Sequence, residues 1–338
     1  MATIGTLKTI VDWTKQLDPD GSVAAVAELL SQTNQIMDRM LFQEGNLPTG
    51  HRVSQRTGLP TVYWKLINKG TPSSKATTTQ VTEQCGILSA RSEVDVDSII
   101  GGNVEEQRLI ESSAFIEAMG QEFASTLFYG SAASPEEFVG LSNRYVSLSG
   151  DGNSENVLNG GGTGGGDYTS VWLVGMGDKG IYGIFPEGST AGLQHRDMGV
   201  GEAFDDNNDR YEAYLDSYKM KSGVCVKDWR YGVRIPNLDI SDMAGTTGTQ
   251  AASASTFLPK LMSRAIDRLP SMDGVAPYFL MNRTSASLLR VLALEKSSSA
   301  VTIEEGLNQF GKTIFQLKFL GIPVLINDAI INTETEVS

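Results

Sequence analysis

The chain is predicted to be a mixed α+β protein, and three patterns carry that expectation. A helical period runs unbroken from Val104 to Tyr129, strand-like runs rich in β-branched and aromatic residues lie between residues 169 and 235, and the last ninety or so residues alternate helix and strand. With 338 residues, 40% of them hydrophobic, there is enough apolar material for two or three ordinary domains.

Residues 1–50 read as an N-terminal arm, with helical stretches at 22–30 and 32–42 and Asp20 or Ser22 available as an N-cap. Residues 51–92 read as a long β-hairpin. Its strands are placed at 61–68, where Val62, Tyr63, Trp64 and Ile67 favour a pleated surface, and at 77–87, with Gly70, Pro72, Ser73 and Ser74 supplying the bend. Between residues 51 and 91 the cations Arg52, Arg56, Lys65, Lys69, Lys75 and Arg91 face a single acid, Glu83, so this segment is +5 on a chain whose net charge is −13. An arm of ~15 residues at ~3.3 Å per residue reaches about 50 Å, against a radius of gyration of about 20 Å for a compact chain of this size. Such a ribbon is marginal alone and its edges invite pairing, so a neighbouring copy is expected to cover it. The alternative is that both strands fold back into the body's own sheet, with the cations as edge protection.

Residues 93–245 are expected to form the next unit. Its helix at 104–129 would be about 39 Å long at 1.5 Å per residue, with Leu109, Ile116, Met119, Phe123 and Leu127 on one stripe and Glu105, Glu106, Glu111 and Glu117 mostly elsewhere. Gly130 can end it. Strands are expected at 169–175, 180–186, 211–220 and 224–235. Residues 246–338 read as a compact α/β unit, with helices at 255–269 and 285–294 and strands at 278–281, 314–319 and 323–327.

Composition removes several classes of function. A net charge of −13 and a sequence pI near 4.7 repel phosphate and anionic lipid, which argues against a general nucleic-acid binder. Two cysteines, Cys85 and Cys225, and two histidines, His51 and His195, cannot build a zinc cluster or an HExxH site. No apolar run approaches the roughly 18–20 residues needed to cross a bilayer and no signal-peptide pattern opens the chain, so synthesis in the cytosol is expected. No cofactor is expected.

Three motifs imitate chemistry. Residues 306–313 match the P-loop pattern, making Lys312 a candidate phosphate ligand and Thr313 a candidate magnesium ligand, but a strand-like run follows where a helix is required. Gly160, Gly162 and Gly165 satisfy GxGxxG within a glycine tract that leads into a strand, so loop packing is the better reading. Asp205, Asn207, Asp209 and Asp216 fit a calcium-loop spacing, yet Arg210 stands where glycine is needed, and a polar hairpin turn is expected. The histidines read as surface residues in loops, without a nearby nucleophile.

The order of arm, basic hairpin, long helix, β block and α/β unit resembles the major capsid proteins of tailed bacteriophages with the Hong Kong 97-type fold. Stretches similar to short-tailed phage members are 123–130 followed by 135–141, 170–174, 226–231 and 319–324. The resemblance implies that the hairpin corresponds to the E-loop, the helix to the spine of a peripheral P-domain, and the last block to the axial A-domain. In most of the family the axial segment lies between the spine helix and the long peripheral strands, so its placement last implies permuted connectivity. It further implies self-assembly into hexamers and pentamers of an icosahedral shell around double-stranded DNA, held only non-specifically. A separate scaffolding protein, a portal, a decoration protein, residence in the virion after assembly in the host cytoplasm, no membrane and no catalysis complete the expectation. Candidate intersubunit contacts are Arg52, Arg56, Tyr63, Trp64, Lys65, Lys69 and Lys75 on the hairpin and Glu105, Glu106, Glu111 and Glu117 on the helix. The competing functions are a P-loop nucleotide hydrolase using Lys312 and Thr313 and, more remotely, a carbohydrate- or receptor-binding virion protein.

Overall fold

A computed structural model describes residues 32–98, 104–162, 166–205, 207–244, 258–294, 301–307 and 313–338. The strands are β1 (Phe42–Glu44), β2 (Gly50–Gly58), β3 (Thr77–Gln84), β4 (Gly86–Asp95), β5 (Tyr168–Met176), β6 (Ile181–Phe185), β7 (Leu193–Phe204), β8 (Arg210–Val226), β9 (Gly232–Asp239), β10 (Ala276–Met281), β11 (Val301–Leu307), β12 (Thr313–Phe319) and β13 (Ile322–Ile326). The helices are α1 (Val104–Tyr129), α2 (Ile240–Ala244), α3 (Leu258–Asp267) and α4 (Arg283–Leu294).

Eleven strands form one mixed sheet, with the path β11-β12-β13-β10-β5-β6-β8-β4 and with β1 on β6, β7 on β8 and β9 on β5. Strict alternation along the central strands gives the sheet two cores. Val171 and Leu173 of β5 and Phe279 and Met281 of β10 face α3 and α4, meeting Leu261, Met262 and Leu289. Trp172 and Val174 of β5 and Leu280 of β10 face the other way, toward Phe123, Leu127 and Phe128 of α1 and Tyr145. Sheet and core therefore run across residue 245, and a boundary there does not separate the β block from the α/β unit, because β5 pairs with both β9 and β10.

The 17-residue β8 joins two regions. Its end, Gly223–Val226 by register, pairs with β6 in the central sheet, while its earlier part lies between β4 and β7 in a long three-stranded ribbon. Helix α1 crosses this ribbon. The Arg108 guanidinium donates to both oxygens of the buried Asp216 carboxylate at 2.9 and 3.2 Å and reaches Asp197 of β7 at 2.9 Å. Tyr218 donates to Ser112 at 2.9 Å and stacks on Phe115. The bonds to Asp216 and Asp197 raise the Arg108 pKa, the Asp216 hydrogen bond most, and the bond from Arg108 lowers that of Asp197.

A buried ion pair closes the central region. Arg234 meets Glu334 at 2.9 Å, with both side chains buried, and lies over the Trp172 ring. Ser170 also donates to Glu334, and Tyr129 at the end of α1 donates to its other oxygen at 2.6 Å. Burial and the Glu334 charge push the Tyr129 phenol well above its ordinary pKa, so it stays a donor.

Several sequence expectations are corrected. Residues 61–68 are not a strand: the hairpin pairs Gly50 with Gln84 through to Gly58 with Thr77, and residues 59–76 form the loop at its tip. Residues 86–95, expected in the hairpin, form β4 against β8, so Arg91 belongs to the body. Residues 32–42 are not helical, because Asn34 bridges Asn327 and β1 adds to β6; the stretch at 22–30 lies outside the described residues. The expected strand at 224–235 is two strands separated by a 3-10 turn at Trp229–Tyr231. Both histidines sit on strands rather than loops, His51 on β2 and His195 on β7. The P-loop match spans two antiparallel strands: Gly306 and Leu307 close β11, Thr313 opens β12, and Lys312 lies outside the described residues. A phosphate cradle needs a helix after the Thr, and here a strand follows.

Candidate functional site

The hairpin β2–β3 is a separate two-stranded sheet, and its two ends differ. Its base is fastened to the body. Val53 is buried against Tyr182, Ile184 and Cys225, and the Gln55 amide donates to the carbonyls of Val226 and Lys227 at 3.3 and 2.8 Å. Glu83, the hairpin's lone acid, is buried and accepts two bonds from Arg144 at 2.5 and 2.8 Å. Glu83 is thus matched by a body residue, which leaves the projecting cations unopposed. His51 accepts from the Asn46 amide, and burial, then nearby Lys227, lowers its pKa below the ordinary value. Cys85 and Cys225 are free thiols at this junction, both pushed up to about 11, by burial foremost.

Beyond the base every residue from 59 to 80 is exposed. Six large apolar side chains, Leu59, Val62, Tyr63, Trp64, Leu66 and Ile67, stand in solvent, with Trp64 and Ile67 more than 90% exposed. The loop has an ordered form nonetheless: Ser74 donates to the Thr61 carbonyl at 2.7 Å, and the Lys69 amide bonds to Leu66 across a turn with Asn68 at φ 66°. Asparagine tolerates that left-handed conformation better than most residues. Lys65, Lys69 and Lys75 all lie on this exposed tip. Arg52 and Arg56 are exposed on β2, where Arg52 donates to Thr82 at 3.2 Å and Arg56 lines an open groove with Lys179, Lys227 and Trp229. Proteins rarely leave this many large apolar side chains together in solvent.

The expected acids occupy α1. Glu105 and Glu106 are exposed in its first turn, where carboxylates also suit the helix dipole, and Glu111 is half-buried. Glu117 already works within the chain: it accepts from the Gln121 side chain at 2.8 Å and the Gln32 amide at 2.9 Å, which lowers its pKa. Leu109 and Ile116, assigned to the buried stripe, are 71% and 47% exposed. Only the second half of the stripe, Met119, Phe123 and Leu127, is covered by this chain's own body.

Sequence reasoning missed the clamps Arg144–Glu83, Arg108–Asp216 and Arg234–Glu334. Their partners are 61, 108 and 100 positions apart, and no local spacing announces them. The calcium-like spacing resolves into the β7–β8 turn, where Asp205 accepts from the Asn207 and Asp209 amides. Gly160 and Gly162 of the glycine tract bond along the edge of β9. Among the described residues no cluster of His, Cys, Asp and Glu could hold a metal ion, and no helix is long and apolar enough to cross a membrane.

A spine helix across a long three-stranded ribbon, a projecting hairpin and a central mixed sheet backed by helices define a shell protein of the Hong Kong 97 type. The chain superposes on a chain of the bacteriophage Epsilon15 structure with a TM-score of 0.74 and 27% identity, covering 100% of this chain and 99% of that one. It also matches the bacteriophage JBD30 capsid, with a TM-score of 0.50 and 10% identity over 89% of this chain and 92% of that one, a likeness of fold alone. No curated protein matches. The family model for major capsid protein GP7 matches residues 18–338, and the chain belongs to that family. It is a shell-forming structural protein of a bacteriophage virion, assembled from copies of itself.

Proposed function

We propose that this chain closes an icosahedral shell around packaged double-stranded DNA by laying its basic hairpin across the next copy in rings of five or six. The surface it crosses is the outer face of that copy's α1, which carries Glu105, Glu106 and Glu111 beside the uncovered Leu109 and Ile116. The observation that carries this reading is the tip at 59–76, where apolar and cationic side chains have no cover from their own chain. Burying apolar surface is worth roughly 25 cal/mol per Å², so an adjoining copy that covers the tip gains stability that solvent withholds. Changing Arg56, Lys65 and Lys69 together to Glu is expected to abolish or misdirect assembly, seen as missing or aberrant particles by negative-stain microscopy. Normal particles from that variant would overturn the contact.

Three units follow from this reading: the hairpin at 50–84; a peripheral unit of α1, β4, β7 and the first part of β8; and an axial unit made from the rest of the sheet with α3 and α4. In this division the axial unit, apart from β1, begins after α1, and the permuted order expected from the sequence is not required. The acidic body favours a non-specific relation to DNA, repelling duplex so that it slides during packaging. A scaffolding protein, a portal and a decoration protein are proposed as further partners, with assembly in the host cytoplasm and a role free of catalysis.

A further inference from the structure

A slot of about 200 Å³ lies beside the base of the hairpin, between α1, β4 and the segment at 136–138. Its apolar lining includes Phe123 and Phe138, whose rings stand 5.7 Å apart, together with Ile87 and Leu88. Gly86 brings β4 close to one wall, since a Cβ there would lie 2.9 Å from the Glu136 carbonyl oxygen. Three carboxylates, Glu122, Glu136 and Glu137, edge the slot, and Glu122 and Glu136 are exposed without an ion pair among the described residues.

An apolar floor with an acidic rim asks for a flat apolar group flanked by cations. The hairpin tip offers that pattern in Trp64, fully exposed, with Lys65 beside it and Lys69 across the Leu66–Lys69 turn. A copy cannot fill its own slot: Gly86 lies two residues past the end of β3, and the eight residues of β3 hold the tip roughly 25 Å from the base. A tip-to-base contact is therefore head-to-tail between copies, the kind that closes into rings when the rotation permits. We propose that Trp64 of one copy seats in the slot of the next, with Lys65 and Lys69 against Glu122 and Glu136. Tryptophan anchors in water-excluded pockets commonly carry much of an interface's binding energy. This inference rests on the hairpin crossing a neighbour and specifies where its end is held.

The test is a cysteine pair, Tyr63→Cys with Ile87→Cys, which keeps the Trp64 anchor, in a Cys85→Ser background, assembled and treated with a mild oxidant. The expected result is a reducible ladder of covalent multimers ending at five or six copies on a non-reducing gel, absent from either single cysteine variant. No ladder from that pair, with a ladder from Tyr63→Cys and Leu109→Cys, would overturn the slot while leaving the hairpin across the neighbour. No ladder from either pair in normal particles would overturn both. Should the pair fail to assemble, charge exchange decides. Glu122→Lys with Glu136→Lys, and Lys65→Glu with Lys69→Glu, should each lose particles, and all four together should regain them; failure to regain them overturns the proposal.

Discussion

The two ends of the hairpin obey opposite rules. At the base, buried and half-buried side chains have partners in the body: Glu83 has Arg144, Gln55 has the carbonyls of Val226 and Lys227, and Val53 is enclosed. At the tip the same ribbon carries six large apolar side chains and three lysines into solvent. The base is completed by the chain itself, whereas the tip has no cover from its own chain, which is what the proposed contact with a neighbour would supply. Local fixation at one end lets the other project without costing the body its fold.

The strongest way to break this contrast is to damage the body while sparing the hairpin. Glu334→Ala strands the buried Arg234 charge and should cost about 3–5 kcal/mol, read from denaturant unfolding of the unassembled chain. A loss under 1 kcal/mol would mean that the clamp contributes little. An intermediate effect is expected at the base, where Glu83→Gln weakens charged hydrogen bonds worth about 1.5–3 kcal/mol. Amide hydrogen exchange should then quicken over β2 and β3 while β5 and β9 keep their protection. The smallest effect on stability belongs to the tip. Trp64→Ser should change unfolding free energy by less than about 0.5 kcal/mol, since nothing in its own chain packs on it. Its assembly should nonetheless fail, and that separation of stability from assembly is the sharpest form of the comparison.

Legibility in the sequence followed the range of the forces involved. Helix α1 was readable to its termini because a 3.6-residue period and Gly130 are local signals. The central strands were readable because Val171 to Val174 are apolar on both faces. The hairpin's existence and charge were readable but its register was not: β2, GHRVSQRTG, has a weak strand signature, whereas residues 61–68 have a strong one and are a loop. Pairing with β3 outweighed local propensity there. Strand β7 escaped notice because its polar, glycine-containing sequence lies almost wholly exposed beside β8. On the candidate surface, Trp64 and the lysines were visible as residue types, while the slot was not, because it gathers residues from 86 to 222.

The Arg234–Glu334 clamp has a consequence for timing. The cation on β9 leaves the ribosome a hundred positions before the carboxylate that neutralises it, an interval of about 5–20 s at ~5–20 residues per second. Throughout that interval the Arg234 charge lacks its carboxylate partner, so the central region closes late. The hairpin's own strands, 19 positions apart where Gly58 meets Thr77 and 34 where Gly50 meets Gln84, wait far less.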